Sequence, residues 1–293
     1  MRRRTFLTTA GLGAGVVAAG AATSALMPDA APAAAPATAR FRHSVCRWPF
    51  ESMPLPELAR AAGRMGIASV ELLGPEEWPV VQRLGLGCAV GYAPVPDPSR
   101  RLTHGWNRVE HHAWLLPAYR RALPLAAAAG VPNIICFSGN RDGLDDEAGL
   151  ERCARGLRAL MPDAERHRVT VIMELLNSRV DHPGYQCDRT SWGVELVRRV
   201  GSERFKLLYD IYHMQIMEGD VIRTIQSNHD AIAHYHTAGV PGRHEIDGGQ
   251  ELNYPAIMRA IAATGFRGFV AQEFSPTRDP MRSLAEAVRT CSV

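Results

Sequence analysis

Four residues of this 293-residue chain have the types and the spacing to do chemistry together. Glu174, Asp210, His236 and Glu273 each end a short apolar run: Val171-Ile172-Met173-Glu174, Leu207-Leu208-Tyr209-Asp210, Ala233-His234-Tyr235-His236 and Phe269-Val270-Ala271-Gln272-Glu273. The intervals between them are 36, 26 and 37 residues. A single carboxylate at the end of a strand is an ordinary loop residue. Four ionisable groups in succession are hard to explain by packing, because burying charge without compensation is costly. Three carboxylates and an imidazole around one point make a hard, oxygen-rich site for one divalent metal ion: Mg2+, Mn2+, Co2+ or Zn2+. The competing reading is four unrelated groups on surface loops and in salt bridges.

Such residues meet only if the ends of successive strands meet. Strand-like runs fall at 43–46, 69–72, 88–92, 133–137, 169–175, 205–210, 231–236 and 268–273. The clearest helical patterns between them are 55–65, 111–129, 147–167, 191–200, 254–264 and 281–290. Gly66, Gly85, Gly130, Gly201 and Gly265 punctuate the series. Eight strands, each followed by a helical or loop-helix segment, predict an α/β fold of the (β/α)8 TIM barrel type, whose catalytic groups gather at the C-terminal strand ends. An open doubly wound sheet is the runner-up. It calls for a Gly-rich fingerprint after the first strand, and residues 43–50 contain no glycine. The one lysine, Lys206, lies four residues before Asp210, roughly 13 Å down the same strand at ~3.3 Å per residue. It belongs near the bottom of the barrel, so a Schiff-base aldolase lacks its nucleophile.

The first 39 residues stand apart. Arg2-Arg3-Arg4-Thr5-Phe6-Leu7 precedes an apolar run of small residues from Gly11 to Leu26, then a Pro/Ala segment ending Ala37-Thr38-Ala39. A basic start, a short apolar stretch and an Ala-x-Ala site are the parts of an export signal. Arg3-Arg4-x-Phe6-Leu7 resembles the twin-arginine (Tat) signature. The expected division is residues 1–39 as signal and linker and residues 40–293 as the catalytic barrel. Export through the Tat machinery to the periplasm or the medium follows, with no stable membrane anchor, because the run is weaker than the ~20 strongly apolar residues of a span. Of the chain's 33 basic and 30 acidic residues, the first 39 residues carry three arginines and one aspartate, which leaves a formal charge of +1. That balance points to a small, weakly charged substrate and away from nucleic acid. None of the six cysteines forms Cys-x-x-Cys, which disfavours a zinc ribbon or a thioredoxin-type motif. Cys46, Cys88 and Cys136 fit small core positions. The oligomeric state stays open, a homo-oligomer included.

Beyond residue 42 the chain resembles the sugar isomerase/epimerase barrels, the xylose isomerase-like superfamily, and within it the hydroxypyruvate isomerases. The segments that carry the resemblance are Glu174-Leu175-Leu176-Asn177, Asp210-Ile211-Tyr212-His213, Glu218-Gly219-Asp220, Pro241-Gly242-Arg243-His244-Glu245, Gln250-Glu251-Leu252-Asn253-Tyr254 and Gln272-Glu273-Phe274. The resemblance implies that Glu174, Asp210, His236 and Glu273 hold one divalent metal, that Glu174 and Glu273 double as the acid/base pair, and that His213 and Arg243 bind substrate oxygens. It implies hydroxypyruvate to tartronate semialdehyde isomerisation through an enediolate, on a small carbohydrate or hydroxy-keto acid. The lysine of xylose isomerase hydride shift has no counterpart. Two positions divide the family: hydroxypyruvate isomerases often carry Gln where this chain has His236, and ketose 3-epimerases carry a second carboxylate where it has Val180. A ketose 3-epimerase, or an enzyme of keto-sugars or keto-glycosides, is therefore the alternative. An endonuclease-IV-like hydrolase and a non-catalytic sugar-binding protein stand further off.

Other residues carry weaker expectations. One of His111 and His112 could reach the site or simply start a helix. Trp48 could wall a pocket, and Glu71 could support a ligand from behind. Ser138-Gly139-Asn140-Arg141 reads as a polar substrate loop, and Asp181-His182-Pro183-Gly184-Tyr185 as a lid or turn.

Overall fold

The structure, a computed structural model, describes residues 41–293. The expected signal and linker, residues 1–39, lie outside the described residues. Eight strands follow in order: β1 Arg42–Cys46, β2 Ser69–Glu71, β3 Val90–Tyr92, β4 Asn133–Cys136, β5 Thr170–Glu174, β6 Phe205–Asp210, β7 Ile232–Thr237 and β8 Phe269–Gln272. The α-helices are α1 Leu55–Arg64, α2 Trp78–Gln82, α3 His112–Ala128, α4 Asp146–His167, α5 Thr190–Val200, α6 Ile211–Met217, α7 Val221–Asn228, α8 Tyr254–Ala263 and α9 Pro280–Cys291.

All strand pairs are parallel, in the order β2-β1-β8-β7-β6-β5-β4-β3. The two outer members approach each other: Leu72 N donates to Val90 O at 2.8 Å and Tyr92 N to Leu73 O at 2.9 Å. The result is a nearly closed eight-stranded barrel, as the order of elements predicts. The strands are short and almost wholly buried because helices cover them outside and side chains fill them inside. Helix ends follow local chemistry. The Asp145 carboxylate accepts from Ala148 N at 2.7 Å at the start of α4, and Arg168 ends that helix in the left-handed region.

Three helices depart from the sequence reading, which places none at α2, α6 or α7. The α6 case follows from one contact. Asp210 ends β6 and also caps α6, its side chain accepting from Tyr212 N and His213 N. The chain passes from strand to helix with no intervening loop, and Ile211-Tyr212-His213-Met214 continues the apolar character of the strand. Lys206, the second residue of β6, donates from Nζ to Asp230 O at 2.9 Å, far from the strand's catalytic end. Among the described residues, no helix is long and apolar enough to cross a membrane.

Candidate metal centre and active site

Glu174 is the last residue of β5, Asp210 the last of β6, His236 the fifth of β7, and Glu273 follows β8. Strand register sets Asp210 directly opposite His236, while Glu174 pairs with Leu208 and His236 with Ala271, each two residues short of the next group of the cluster. Adjacent strands lie ~4.8 Å apart, so end-of-strand side chains converge. One ligand atom from each of the four lies within 4.8 Å of the others, and all four residues are buried. The surface-loop reading fails here.

The hydrogen bonds leave the inward atoms bare. Asp210 uses Oδ1 on Tyr212 N (2.8 Å) and His213 N (3.3 Å). Its Oδ2, like Glu174 Oε1, is buried without a hydrogen-bond partner. His236 presents Nδ1 to Glu273 Oε2 at 2.9 Å and to Glu174 Oε1 at 3.2 Å. On its other side, Nε2 lies 2.9 Å from Glu71 Oε1, which also faces His234 Nε2 at 2.8 Å. Burial alone would raise the Glu71 pKa; His234 and His236 reverse that and bring it to about 2. An ionised Glu71 only accepts, so His236 donates through Nε2. Without an ion its Nδ1 holds a proton toward the two carboxylate oxygens, and a bound cation would take that proton's place.

The titration of the cluster says the same. Burial raises the Glu174 pKa, and Glu273 adds repulsion. Asp210 is pushed well above the usual carboxylate range by burial and by Glu273. Burial opposes ionisation of Glu273 too, but His236 and Arg243 hold it well below that range. For His236, burial works against protonation and its neighbours Cys46, Glu273 and Glu174 outweigh it. Crowded carboxylates and bare inward oxygens fit a hard divalent cation.

Of the expected substrate binders, Arg243 follows Gly242 in the loop after β7, both with positive φ, 59° and 90°. Its Nη2 donates to Glu273 Oε2 at 2.6 Å and stands 3.6 Å from Asp210 Oδ2, while its Nε is buried and unpartnered. The conformation is costly for a non-glycine residue and aims the guanidinium at the cluster. His213 accepts on Nδ1 from Asn177 Nδ2 at 2.7 Å. The amide orientation is fixed, because Asn177 Oδ1 accepts from Val180 N and Asp181 N. His213 therefore carries its proton on Nε2, 3.5 Å from Asp210 Oδ2. Burial, reinforced by Arg243, keeps it neutral.

A cavity of about 300 Å³ opens above the cluster, with Glu174, Glu273 and Arg243 in its lining and Trp48, Tyr92 and Arg101 among its walls. Trp48 Nε1 donates to Glu273 Oε1 at 2.8 Å, so it both walls the pocket and orients the Glu273 carboxylate. The cavity shares Trp48, Leu72, Tyr92, Pro98 and Arg101 with a larger groove of about 670 Å³.

Other expectations are corrected. Neither His111 nor His112 lines the cavity: His112 Nε2 bonds Trp106 O at 2.9 Å and His111 Nδ1 bonds Gly105 O at 3.1 Å, around the start of α3. The Ser138–Arg141 segment is scaffold, with Arg141 tied to Asp146 and Asp188. The segment after β5 contributes His182, whose ring lies 5.3 Å from that of His213 and lines the cavity. Arg101 and Tyr92 are absent from the sequence reading; no motif marks them, and only the approach of β3 to the barrel mouth reveals them.

The fold is a (β/α)8 barrel with four groups at its mouth that could hold a metal, and the comparisons with known proteins agree on the barrel. The chain belongs to the xylose isomerase-like TIM barrel family, whose model matches residues 82–291. It is 41% identical over 160 residues to a 2-oxo-tetronate isomerase of Cupriavidus necator, covering 53% of this chain and 60% of that protein. It is 31% identical over 156 residues to a hydroxypyruvate isomerase of Escherichia coli K12, again 53% of this chain and 60% of the relative. Among solved structures, an AP endonuclease, family 2, from Brucella melitensis superposes with a TM-score of 0.74 at 29% identity, over 85% of this chain and 98% of that one. The curated relatives named here are isomerases.

Proposed function

We propose that the chain is a divalent-metal-dependent isomerase of small α-hydroxy-keto acids, of the hydroxypyruvate to tartronate semialdehyde type. One observation carries the reading. Of the four converging groups, only Glu174 and Glu273 line the cavity. Those two can touch a substrate proton, whereas Asp210 and His236 serve as ligands. A divalent cation held by the four would supply Lewis acidity to a carbonyl and acidify the neighbouring C–H. One glutamate takes that proton, and the other delivers a proton to the former carbonyl carbon. The hydroxyl hydrogen passes from one oxygen to the other, so the product is an isomer. His213 offers an N–H toward the cluster, and the unpartnered Nε of Arg243 is a donor left for a substrate oxygen. The test is a screen of hydroxypyruvate, ketoses and keto-glycosides in deuterated water with each candidate metal, read by NMR. Isomerisation with solvent deuterium on the new C–H is expected. No isomerisation of any candidate with any metal sinks the proposal.

The groove beside the cavity favours a second reading, in which the substrate is longer: a ketose for 3-epimerisation or a keto-glycoside. The same screen separates the two. A DNA hydrolase is disfavoured by the +1 balance of residues 40–293, and salt-dependent DNA binding would reopen it. A purely sugar-binding role is disfavoured by the presence of both glutamates at the cavity.

We also propose that residues 1–39 direct twin-arginine export of the folded, metal-loaded protein to the periplasm or beyond. That route would preserve the metal selected in the cytoplasm. Replacing Arg3 and Arg4 by Lys should retain the protein inside; unchanged export would reduce the arginines to simple positive charge.

A further inference from the structure

We propose that Arg101 is the anchor for a carboxylate on the substrate, so that the enzyme selects hydroxy-keto acids over neutral ketoses. The inference rests on the isomerase reading above and names the substrate class of that site.

Arg101 and Arg243 are the two arginines that line the cavity containing Glu174 and Glu273. They are not equivalent. Arg243 is committed to Glu273 at 2.6 Å and stands beside Asp210 at 3.6 Å, so its charge is spent on the ligand carboxylates. Arg101 makes no ion pair and no side-chain hydrogen bond among the described residues, and its Nε is buried without a partner. What holds it is an aromatic face: the guanidinium carbon lies 3.6 Å from the centroid of the Tyr92 ring. Stacking fixes the plane of the guanidinium and leaves its edge, with the N–H groups, unsatisfied. A half-buried fork of donors inside an active-site cavity matches one ligand chemistry best, a planar carboxylate accepting two parallel hydrogen bonds.

Charge placement supports the same end-to-end orientation. Arg243 is already paired with Glu273, so a substrate carboxylate finds the cavity's unpaired cationic side chain at Arg101. Arg101 stands at the junction of cavity and groove, shared by both. The hydroxy-keto end can then face the glutamates while the acid end is held at the junction. The groove beyond leaves room for chains of more than three carbons, so hydroxypyruvate and 2-oxo-tetronate both fit the class.

The test uses the metal-loaded protein and its Arg101→Gln and Arg101→Lys variants. The wild type should prefer hydroxypyruvate or 2-oxo-tetronate to a neutral four-carbon ketose in kcat/KM. Hydrogen bonds to charged groups are worth enough that Arg101→Gln should raise KM for the acid about 10- to 100-fold, with kcat changed less, and cut the acid-to-ketose selectivity by the same factor. Arg101→Lys, which keeps the charge and loses the fork, should fall between. Tartronate, a non-isomerising three-carbon diacid, gives a readout without turnover: its affinity by calorimetry should weaken in step with KM. If the wild type isomerises the acids and Arg101→Gln leaves both KM and tartronate affinity unchanged, Arg101 is not the anchor and the isomerase reading stands. If the wild type isomerises nothing, that reading falls, and tartronate binding still decides the anchor: equal affinity in wild type and Arg101→Gln overturns it.

Discussion

At the scale of single residues, the centre divides labour between groups of the same type. Glu174 and Glu273 face the cavity, and under the proposed reaction they move the protons, so Glu174→Gln and Glu273→Gln should each lower turnover ~10²–10⁴-fold. Metal titration should show a smaller loss, because an amide oxygen still coordinates weakly. A double variant with normal turnover would leave the reaction without a base. Glu71 acts one step further back, fixing which nitrogen of His236 faces the other ligands. Glu71→Gln should therefore weaken metal affinity about 10- to 100-fold, measured by chelator competition, and nitrogen NMR should show His236 losing its single tautomer. Unaltered affinity and an unaltered tautomer would reduce Glu71 to filler. The four converging residues were legible in the sequence because four ionisable strand ends in succession are hard to explain by packing, and because their intervals are each about one β/α unit. A supporting role for Glu71 was legible from its place near the mouth, but the histidines it supports were not. Its partners are 163 and 165 residues away, and such pairing has no local signature. Arg101 left no trace, since one arginine among many in a loop is the ordinary surface case.

At the scale of elements, the junction of β6 and α6 carries two functions on one side chain. Asp210 Oδ1 caps the helix and Oδ2 faces the cluster. Asparagine is as good a cap as aspartate, and alanine is not. Asp210→Asn should keep its thermal stability in the metal-free state while losing metal affinity, with activity partly recovered at high metal. Asp210→Ala should lose the affinity and also about 1 kcal/mol of stability. Equal metal-free stabilities would show that the cap is energetically idle. The same double use explains why α6 was illegible: the capping residue sits inside the strand pattern, and no Gly or Pro announces a boundary. A second buried carboxylate fastens the loop after β7 to the segment after β8. Glu245 accepts from Thr277 N, Thr277 Oγ1, Arg278 N and Ser283 Oγ. Burial would raise its pKa, but the donated hydrogen bonds lower it to about 2. A depressed carboxylate contributes stability that is complete above its unfolded value of ~4.3 and fades as pH falls toward 2. Glu245→Gln should therefore melt below the wild type at pH 6, with the gap closing between pH 4 and pH 2. A gap independent of pH would assign the effect to packing alone.

At the scale of the whole molecule, the alternation of strands and helices called for a parallel sheet buried on both faces, and the absence of glycine from residues 43–50 favoured the closed barrel over the doubly wound sheet. The cavity and the groove beside it were not predictable: they are shaped by loops whose residues obey no period. The six cysteines are free and buried, and burial drives the Cys46, Cys136 and Cys187 thiols up, so an oxidising compartment would find them unreactive. One feature of the circle of strands has a dynamic consequence. Seven neighbouring strand pairs form ladders, while β2 and β3 meet only through isolated contacts such as Ser69 with Gly87 and Leu73 with Gly91. Amide hydrogens at this seam should exchange with solvent sooner than those between β6 and β7, because sub-global opening begins where pairing is sparsest. Leu72 and Tyr92 flank the seam and also wall the cavity, so a ligand in the cavity would lie against the sparsest pairing of the circle. Mass-spectrometric hydrogen exchange should find protection at Leu72 and Tyr92 rising when tartronate binds.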